Sequence, residues 1–559
     1  MKMSHPWDNE YQKYNIPAQL QLPAPHESLL ELLEQSFRQY SQAPAFISYE
    51  QTLTYQQLDE LSLRFASYLQ QLHLPKQTRI AIMLPNVLQY PVVACAILRS
   101  GYIAVNVNPN YTARELKYQL NDAGAEVLII IEEAIATFQT IAAETQIKTM
   151  IRTSVSDLLS ADTLFKYPQL QQNKAEEHVF IENVAHFKSI MDEAHPDSYK
   201  RPELGLHNIA LLQYTGGTTG LSKGTILAHG NLFINILQMD AAFSPNLVLS
   251  AQGGSSRILC LLPFYHIFAF SFSILYSLYS GQTVVLILNP REIDYVLETW
   301  KRYSPQVFPG VNTLFNTLAN QPEFQTLDFS GFRLAVSGGM PTLHATADLW
   351  RKLTGNIICE VYGLSETGPL ATFNPKGQRS FSGKVGIPVP LTDVVIIDEQ
   401  GRELPYGQAG EVAIRGPQVM QGYWQKTEET AQVMTANQLF RSGDIGIMDE
   451  RGYLELIDRK KDMIVVSGFN VYPREIEEVI AQYAKVLEVA AIGIKDEKSG
   501  EVPKVFIVRK EDSLTEEEVF TYAKANLTAY KCPKYIEFVS ELPKSNIGKI
   551  LRRHLKETQ

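Results

Sequence analysis

The order of apolar runs along the chain predicts an α/β fold: a large N-terminal domain of parallel-rich sheets sandwiched by helices, a small β-barrel-like subdomain, and a small C-terminal α+β domain. Three observations carry this prediction. In the first half, short β-branched runs alternate with helical patterns, the signature of βαβ units in a doubly wound sheet. From about residue 384 the pattern changes to short strands punctuated by glycine and proline. The chain then closes with a helix-and-strand unit of about 100 residues, an ordinary size for one domain. The full length of 559 residues suits three or four domain-sized units at roughly 150 residues each.

Taken in order, RIAIML reads as a strand, YPVVACAILRSG as a helix, YIAVNV as a strand, TARELKYQLNDAG as a helix and EVLIII as a strand. Between about 146 and 203 the pattern weakens into polar, mixed sequence and is expected to be a surface insertion without chemistry. Residues 258–289 hold no formally charged side chain, and IFAFSFSILYSLYS lies inside them. That run is the best transmembrane candidate of the chain. Pro263, His266, four serines and Gly281, followed by the β-like TVVLIL, favour instead a buried helix feeding a buried strand. Beyond it, VGIPVP, TDVVIID and GEVAIRG give the β-rich subdomain, about 384–458, inside an N-terminal domain of residues 1–460. The runs IEEVIAQYAKV, VAAIGIKD, KVFIVRK, TEEEVFTYAKANL and KYIEFVS build the C-terminal domain, 461–559.

Hydrophobic residues make up 45% and charged residues 20%, enough apolar material for several cores, which excludes disordered and fibrous architectures. With 50 Lys+Arg against 60 Asp+Glu the net charge is −10, so the summed field disfavours non-specific nucleic-acid binding. A polyanionic ligand must therefore be met locally. Cys95, Cys260, Cys359 and Cys532 are isolated, giving neither zinc spacing nor a disulfide framework, and the polar start of the chain carries no export signal. A cytoplasmic location is expected.

Four clusters carry chemistry. The first, YTGGTTGLSKG, follows the strand-like IALLQ; its glycines expose backbone N–H groups while hydroxyls and Lys223 add donors for phosphate oxygens. It is not a Walker loop, because Ser222 precedes and Gly224 follows the lysine. A flexible connection is the plain alternative. The second joins SGGMP (337–341) to EVYGLSETGP (360–369), where Tyr362 is suited to stacking a base and Glu366 to holding Mg²⁺ through a hard oxygen ligand. Taken singly, such residues also make solvated turns. The third comprises Asp444 in RSGDIG and Arg459 in LIDRKKD, a carboxylate and a guanidinium suited to a ribose. The fourth is LPKSNIGKILRRHLK, with Lys549 after Gly548 near the end of the chain.

In order and spacing these clusters resemble the adenylate-forming superfamily of acyl-CoA synthetases, adenylation domains and luciferases, over nearly the whole chain. VSGFNVYPREIE, NVNPNYTARELKYQLNDAGA, LPFYHIFAF, GVNTLFN and LPKSNIGKILRR look in particular like bacterial long-chain fatty acid–CoA ligases. The resemblance implies a mobile C-terminal lid over an active site shared with the large domain, and the substrates ATP, CoA and a fatty acid with Mg²⁺ as cofactor. It implies that Thr215, Gly216, Gly217, Thr218, Thr219, Gly220 and Lys223 follow the β- and γ-phosphates. Gly338, Gly339, Met340, Glu360, Tyr362, Gly363 and Ser365 would surround the nucleotide, Glu366 would hold Mg²⁺, and Asp444 and Arg459 the ribose. Lys549 would reach the α-phosphate and the attacking carboxylate, with His266 beside the latter. Gly310, Val311 and Gly339 would line the acyl site, Gly468 and Phe469 would meet CoA, and Lys461 holds the hinge position. A homodimer and peripheral contact with the cytoplasmic face of the inner membrane, the latter from the basic KILRRHLK, complete the expected partners.

Departures from the family pattern are local. Gln438 and Leu439 stand where Gly-Trp is common, Ser442 and Ser365 replace threonines, and Ser222 replaces a proline. The missing tryptophan bears on packing near Asp444. Two alternatives stay open at this point: an adenylating ligase for a shorter or aromatic acid, and a non-catalytic acyl-binding or fatty-acid transport protein.

Overall fold

In the computed structural model the described residues are 5–171, 181, 183–215, 222–244, 256–467, 469–496, 498–545 and 548–557. Two sheets form the body. One runs Gly422–Tyr423, Lys223–Ala228, Ile209–Thr215, Ile103–Asn106, Arg79–Met83, Ala125–Ile131, Thr149–Thr153, Asn183–His186, and is parallel from Ile209–Thr215 onward. The other is parallel through Ile358–Tyr362, Leu334–Ser337, Val307–Gly310, Arg257–Cys260, Thr283–Leu286 and Pro44–Ser48. The C-terminal ends of such strands are where a ligand crevice opens.

Burial explains the composition of the elements. The helix Gln89–Arg99 has every residue buried, which is why it shows no polar face, and its one charge, Arg99, meets Asp59. Helix Ala113–Ala123, by contrast, starts on a Thr112/Glu115 capping box and stops at Gly124 in the left-handed conformation.

The uncharged run 258–289 folds as the buried reading expected. Strand Arg257–Cys260 leads to a helix made of Ile267–Ala269, the π-helical Phe270–Tyr276 and Ser277–Tyr279, then to strand Thr283–Leu286. Three of its four serines are satisfied within the chain: Ser271 Oγ donates to the Gly368 carbonyl at 3.2 Å, Ser277 Oγ to that of Ser273 at 2.9 Å and Ser280 Oγ to that of Tyr276 at 2.7 Å, while Ser273 Oγ has no hydrogen-bond partner among the described residues. Among the described residues no helix is long and apolar enough to cross a membrane.

One expectation fails. Residues 146–203 are not only a surface insertion, because Thr149–Thr153 and Asn183–His186 extend the first sheet in parallel. The polar composition concealed this for two reasons. Arg152 satisfies its charge on Glu132 at 2.8 Å, and the last strand is an edge whose Asn183, Val184 and His186 are exposed.

The β-rich segment is an antiparallel sheet in the order Asp393–Ile397, Ala409–Arg415, Phe440–Met448, Leu454–Arg459. Its core, including Val394, Ile396, Val412 and Leu454, takes in Tyr362 and Ala371 from the neighbouring sheet. The C-terminal unit packs helices Pro473–Ala481 and Glu516–Asn526 on the long hairpin Val486–Asp496/Gly500–Arg509, with Ile464, Val471, Ile476, Val505 and Val519 in the core.

Candidate functional site

Strand Ile358–Tyr362 delivers most of the second cluster. After it the chain turns through Ser365–Thr367, pinned by the Thr367 hydroxyl, which accepts from the Leu364 N–H at 2.9 Å and donates to the Pro369 carbonyl at 2.9 Å. Glu366 is thereby buried, and its Oε1 accepts from the Tyr423 hydroxyl at 2.8 Å. Burial pushes the Glu366 carboxyl up, and the Tyr423 bond opposes that shift. Lys223 Nζ lies 5.0 Å from the centre of the Tyr423 ring, so the lysine of the first cluster and the glutamate of the second share one tyrosine. Thr215 stands opposite Lys223 across the antiparallel pair. Gly216, Gly217, Thr218, Thr219 and Gly220 lie outside the described residues, as does Gly468.

The third cluster assembles by register. Antiparallel pairing of Phe440–Met448 with Leu454–Arg459 sets Asp444 opposite Arg459, and Arg459 Nε lies 3.4 Å from Asp444 Oδ1. The other oxygen of Asp444 accepts from the Tyr362 hydroxyl at 2.7 Å, tying the second cluster to the third. Ser442 keeps the work of the usual threonine: its hydroxyl donates to the Val412 carbonyl at 2.8 Å and accepts from the Asp444 N–H at 3.1 Å. Leu439 fills the tryptophan's place against Ile397 and Ala413, and Gln438 adopts φ 60°, a left-handed backbone that explains the glycine common there.

Next to these, Glu360 is fully buried with Oε1 accepting from the Thr342 N–H at 2.8 Å, while Oε2 has no partner among the described residues. Burial pushes its carboxyl up to about 7. Gly338 allows a close approach: a Cβ there would stand 2.9 Å from Val361 Cγ2 and 3.4 Å from Phe268 on the uncharged helix. Met340 is half-buried, and Gly363 sits so close to Pro369 that a Cβ would fall 1.7 Å from its carbonyl oxygen.

The tail closes the site. Ser545 N–H donates to the Lys549 carbonyl at 2.7 Å, and the Gly548 carbonyl accepts from the Thr313 hydroxyl at 3.0 Å. A Cβ on Gly548 would lie 2.6 Å from Thr313 Oγ1 and 3.3 Å from Val311, so only glycine fits this docked turn. Burial, then repulsion from Arg459, brings the Lys549 ammonium down to about 7. Burial, then the charge of Lys549, brings His266 down to about 4, so that imidazole is neutral near pH 7. Lys461 is lowered to about 8 by burial and Arg459. Lys549, His266, Asp444, Arg459 and Lys461 therefore share one electrostatic neighbourhood. Phe469 does not join it: it is exposed and stacks on Tyr530 at 4.8 Å.

No sequence motif points to Tyr423 or Asp458, and Thr313 enters only as part of GVNTLFN. Tyr423 sits in the unremarkable QGYWQ, and only its fold neighbour Glu366 gives it meaning. No group of three or more His, Cys, Asp or Glu among the described residues is arranged for a metal. A magnesium ion carried by a nucleotide still fits, since it uses one or two carboxylates and takes its other ligands from phosphate and water.

Comparison with known proteins gives matches over nearly the whole chain. The family described as AMP-binding enzyme matches residues 33–424, and the AMP-binding enzyme C-terminal domain matches residues 475–549. A long-chain-fatty-acid–CoA ligase of Yersinia pestis is 45% identical over 98% of this chain and 96% of its own. Among solved structures, an anthranilate CoA ligase, AuaEII, with anthranoyl-AMP superposes with TM-score 0.85 at 23% identity, over 96% of this chain and 98% of that one. ATP-bound MatB from Rhodopseudomonas palustris gives TM-score 0.82 at 27% identity, over 95% and 99%.

Proposed function

The chain belongs to the AMP-binding enzyme family, and from that premise we infer that it is a long-chain fatty acid–CoA ligase, converting a fatty acid, ATP and CoA into acyl-CoA, AMP and pyrophosphate through an acyl-adenylate. The observation that carries the reading is the docking of the tail turn at Gly548 on Thr313 and Val311 of the large domain, which brings the neighbouring Lys549 into the electrostatic reach of Arg459, Asp444 and His266. The division of labour is residues 1–460 for adenylation and 461–559 for the lid.

Each side chain has a task. A carboxylate and an α-phosphate repel one another, so their approach needs compensating charge in a water-poor site. Lys549 provides it as an ammonium; the two anions of the bound substrates draw its proton affinity back up from about 7. His266, neutral, donates to or accepts from the acyl carboxylate without adding charge. Lys223, with Thr215 and the glycine- and hydroxyl-rich residues after it, orients the β- and γ-phosphates as the leaving group. Asp444 accepts from the ribose hydroxyls while Arg459 orients the same sugar, and Tyr362 packs beside the base. Glu366 is the residue that would hold magnesium, which when bound neutralises phosphate oxygens. Gly310, Val311 and Gly339 line the acyl entrance, and the uncharged helix beyond Phe268 supplies apolar wall at about 0.8 kcal/mol per buried CH₂.

For the second half-reaction the lid turns about Lys461, withdrawing Lys549 and bringing Gly468 and Phe469 to CoA; the exposure of Phe469 in the present orientation supports this. Peripheral membrane contact falls to Arg553 and Lys556, because Arg552 is engaged by Glu477. A homodimer and this contact are tested by sedimentation with and without anionic vesicles. The main experiment is release of AMP from MgATP and CoA with a ladder of saturated acids: AMP with palmitate-length acids is expected, and ADP, or no ATP consumption, overturns the reading.

A further inference from the structure

We propose that Asp458 is a positioning residue that latches the lid in its adenylating orientation; the proposal rests on the reading of Lys461 as hinge. Asp458 lies on the fixed side, at the end of strand Leu454–Arg459, and its side chain is 4% exposed. Its carboxylate holds three partners. Oδ1 accepts from the Arg459 N–H at 2.7 Å and lies 3.4 Å from the Arg552 guanidinium, while Oδ2 accepts from the Arg474 N–H at 3.0 Å.

Two of those partners belong to the moving unit. Arg474 is the second residue of helix Pro473–Ala481, whose own preceding residue, Tyr472, makes no side-chain cap and whose first residue is a proline without N–H. Asp458 therefore caps this helix from across the hinge, placing a negative charge at its positive end. The Arg474 guanidinium extends the crossing by donating to the carbonyls of Leu456 and, at 3.2 Å, Gly383. Arg552 opens the tail helix Arg552–Glu557, three residues after Lys549.

The bonds sort by what rotation does to them. Arg552 also grips Glu477 at 2.7 and 2.9 Å, but both are on the lid and travel together. Of the bonds that Arg474 and Arg552 make, those to Asp458, Leu456 and Gly383 cross Lys461 and must break when the lid turns, as must the peripheral Thr313–Gly548 and Asn316–Leu487 bonds. In this orientation the buried carboxylate is satisfied by three donors, whereas after rotation it keeps only the Arg459 N–H, so it biases the lid toward the orientation that delivers Lys549.

The test separates the half-reactions. In Asp458→Asn, which retains an acceptor and loses the charge, pyrophosphate exchange is expected to fall by about tenfold or more in kcat with KM for ATP held within about twofold, because Asp458 touches no substrate. Thioester formation from supplied acyl-adenylate and CoA should be unchanged or faster. Arg552→Lys should move both readouts in the same directions by less, and Asp458→Glu should restore exchange in part. Equal loss of both half-reactions, or a rise in KM for ATP alone, overturns the latch. Lys461→Pro keeps the underlying reading separate. If it slows thioester formation selectively while Asp458→Asn slows both halves, the hinge stands and the latch falls; if it slows neither half selectively, the hinge itself falls.

Discussion

The two walls of the site are built on opposite principles. On the side proposed for the acyl chain, residues 267–278 are all buried and carry no charge; the Ser271 and Ser277 hydroxyls are closed on backbone carbonyls. On the side proposed for the nucleotide, Glu360, Glu366 and Asp444 are buried and Lys549 is half-buried, and burial displaces the proton affinities of Glu360, Glu366 and Lys549. The first wall is held by packing, where errors cost stability. The second is held by partners, where errors cost chemistry.

Substitutions on each wall sharpen this contrast. The largest effect is expected from Lys549→Ala, which should slow acyl-adenylate formation by about a thousandfold while sparing thioester synthesis from supplied adenylate, as removal of one charge-stabilising group does elsewhere; the two half-reactions assayed apart check it. Next comes pH. The Lys549 ammonium, lowered to about 7, loses its proton as pH rises, so kcat/KM for adenylation should fall above that value toward about tenfold per pH unit. Lys549→Arg should flatten the profile. For stability the same shift has the opposite sign: between about 7 and the ordinary 10.5 the unfolded chain holds the extra proton, so raising pH through that window favours the folded state. Smaller again is Tyr423→Phe, which removes the bond to Glu366 at a cost of about 1.5–3 kcal/mol in interaction. It should lower kcat by about tenfold and raise the magnesium concentration needed for half activity. The smallest is on the apolar wall: Ile274→Val, at a fully buried position, should cost about 1 kcal/mol in denaturant unfolding and leave KM for ATP unchanged.

What was legible in the sequence follows the same division. Runs such as RIAIML, EVLIII and TVVLIL declare their strands because, past the first residue of each, both faces are buried and the side chains are apolar. Glu366, Asp444, Arg459 and Lys549 were legible because each sits in a short motif of unusual composition. Tyr423 was not, since it lies 57 residues from Glu366 and in no such motif. Asp458 was hidden by its neighbours: DRKKD reads as a solvated turn, and only the arrival of Arg474 and Arg552 from elsewhere in the chain makes its first carboxylate a junction. The strands in 146–203 escaped for a third reason, an edge position that requires no apolar alternation.

The docked turn at Gly548 gives the enzyme a timetable. Because this glycine rests directly on Val311 and Thr313, at the mouth ascribed to the fatty chain, the same stroke that brings the reagent also corks the vessel. On the proposed reading, fat would have to be aboard before the cork is set and the thiol would enter only once it is drawn, so occupancy of one small patch of surface would impose the order of events.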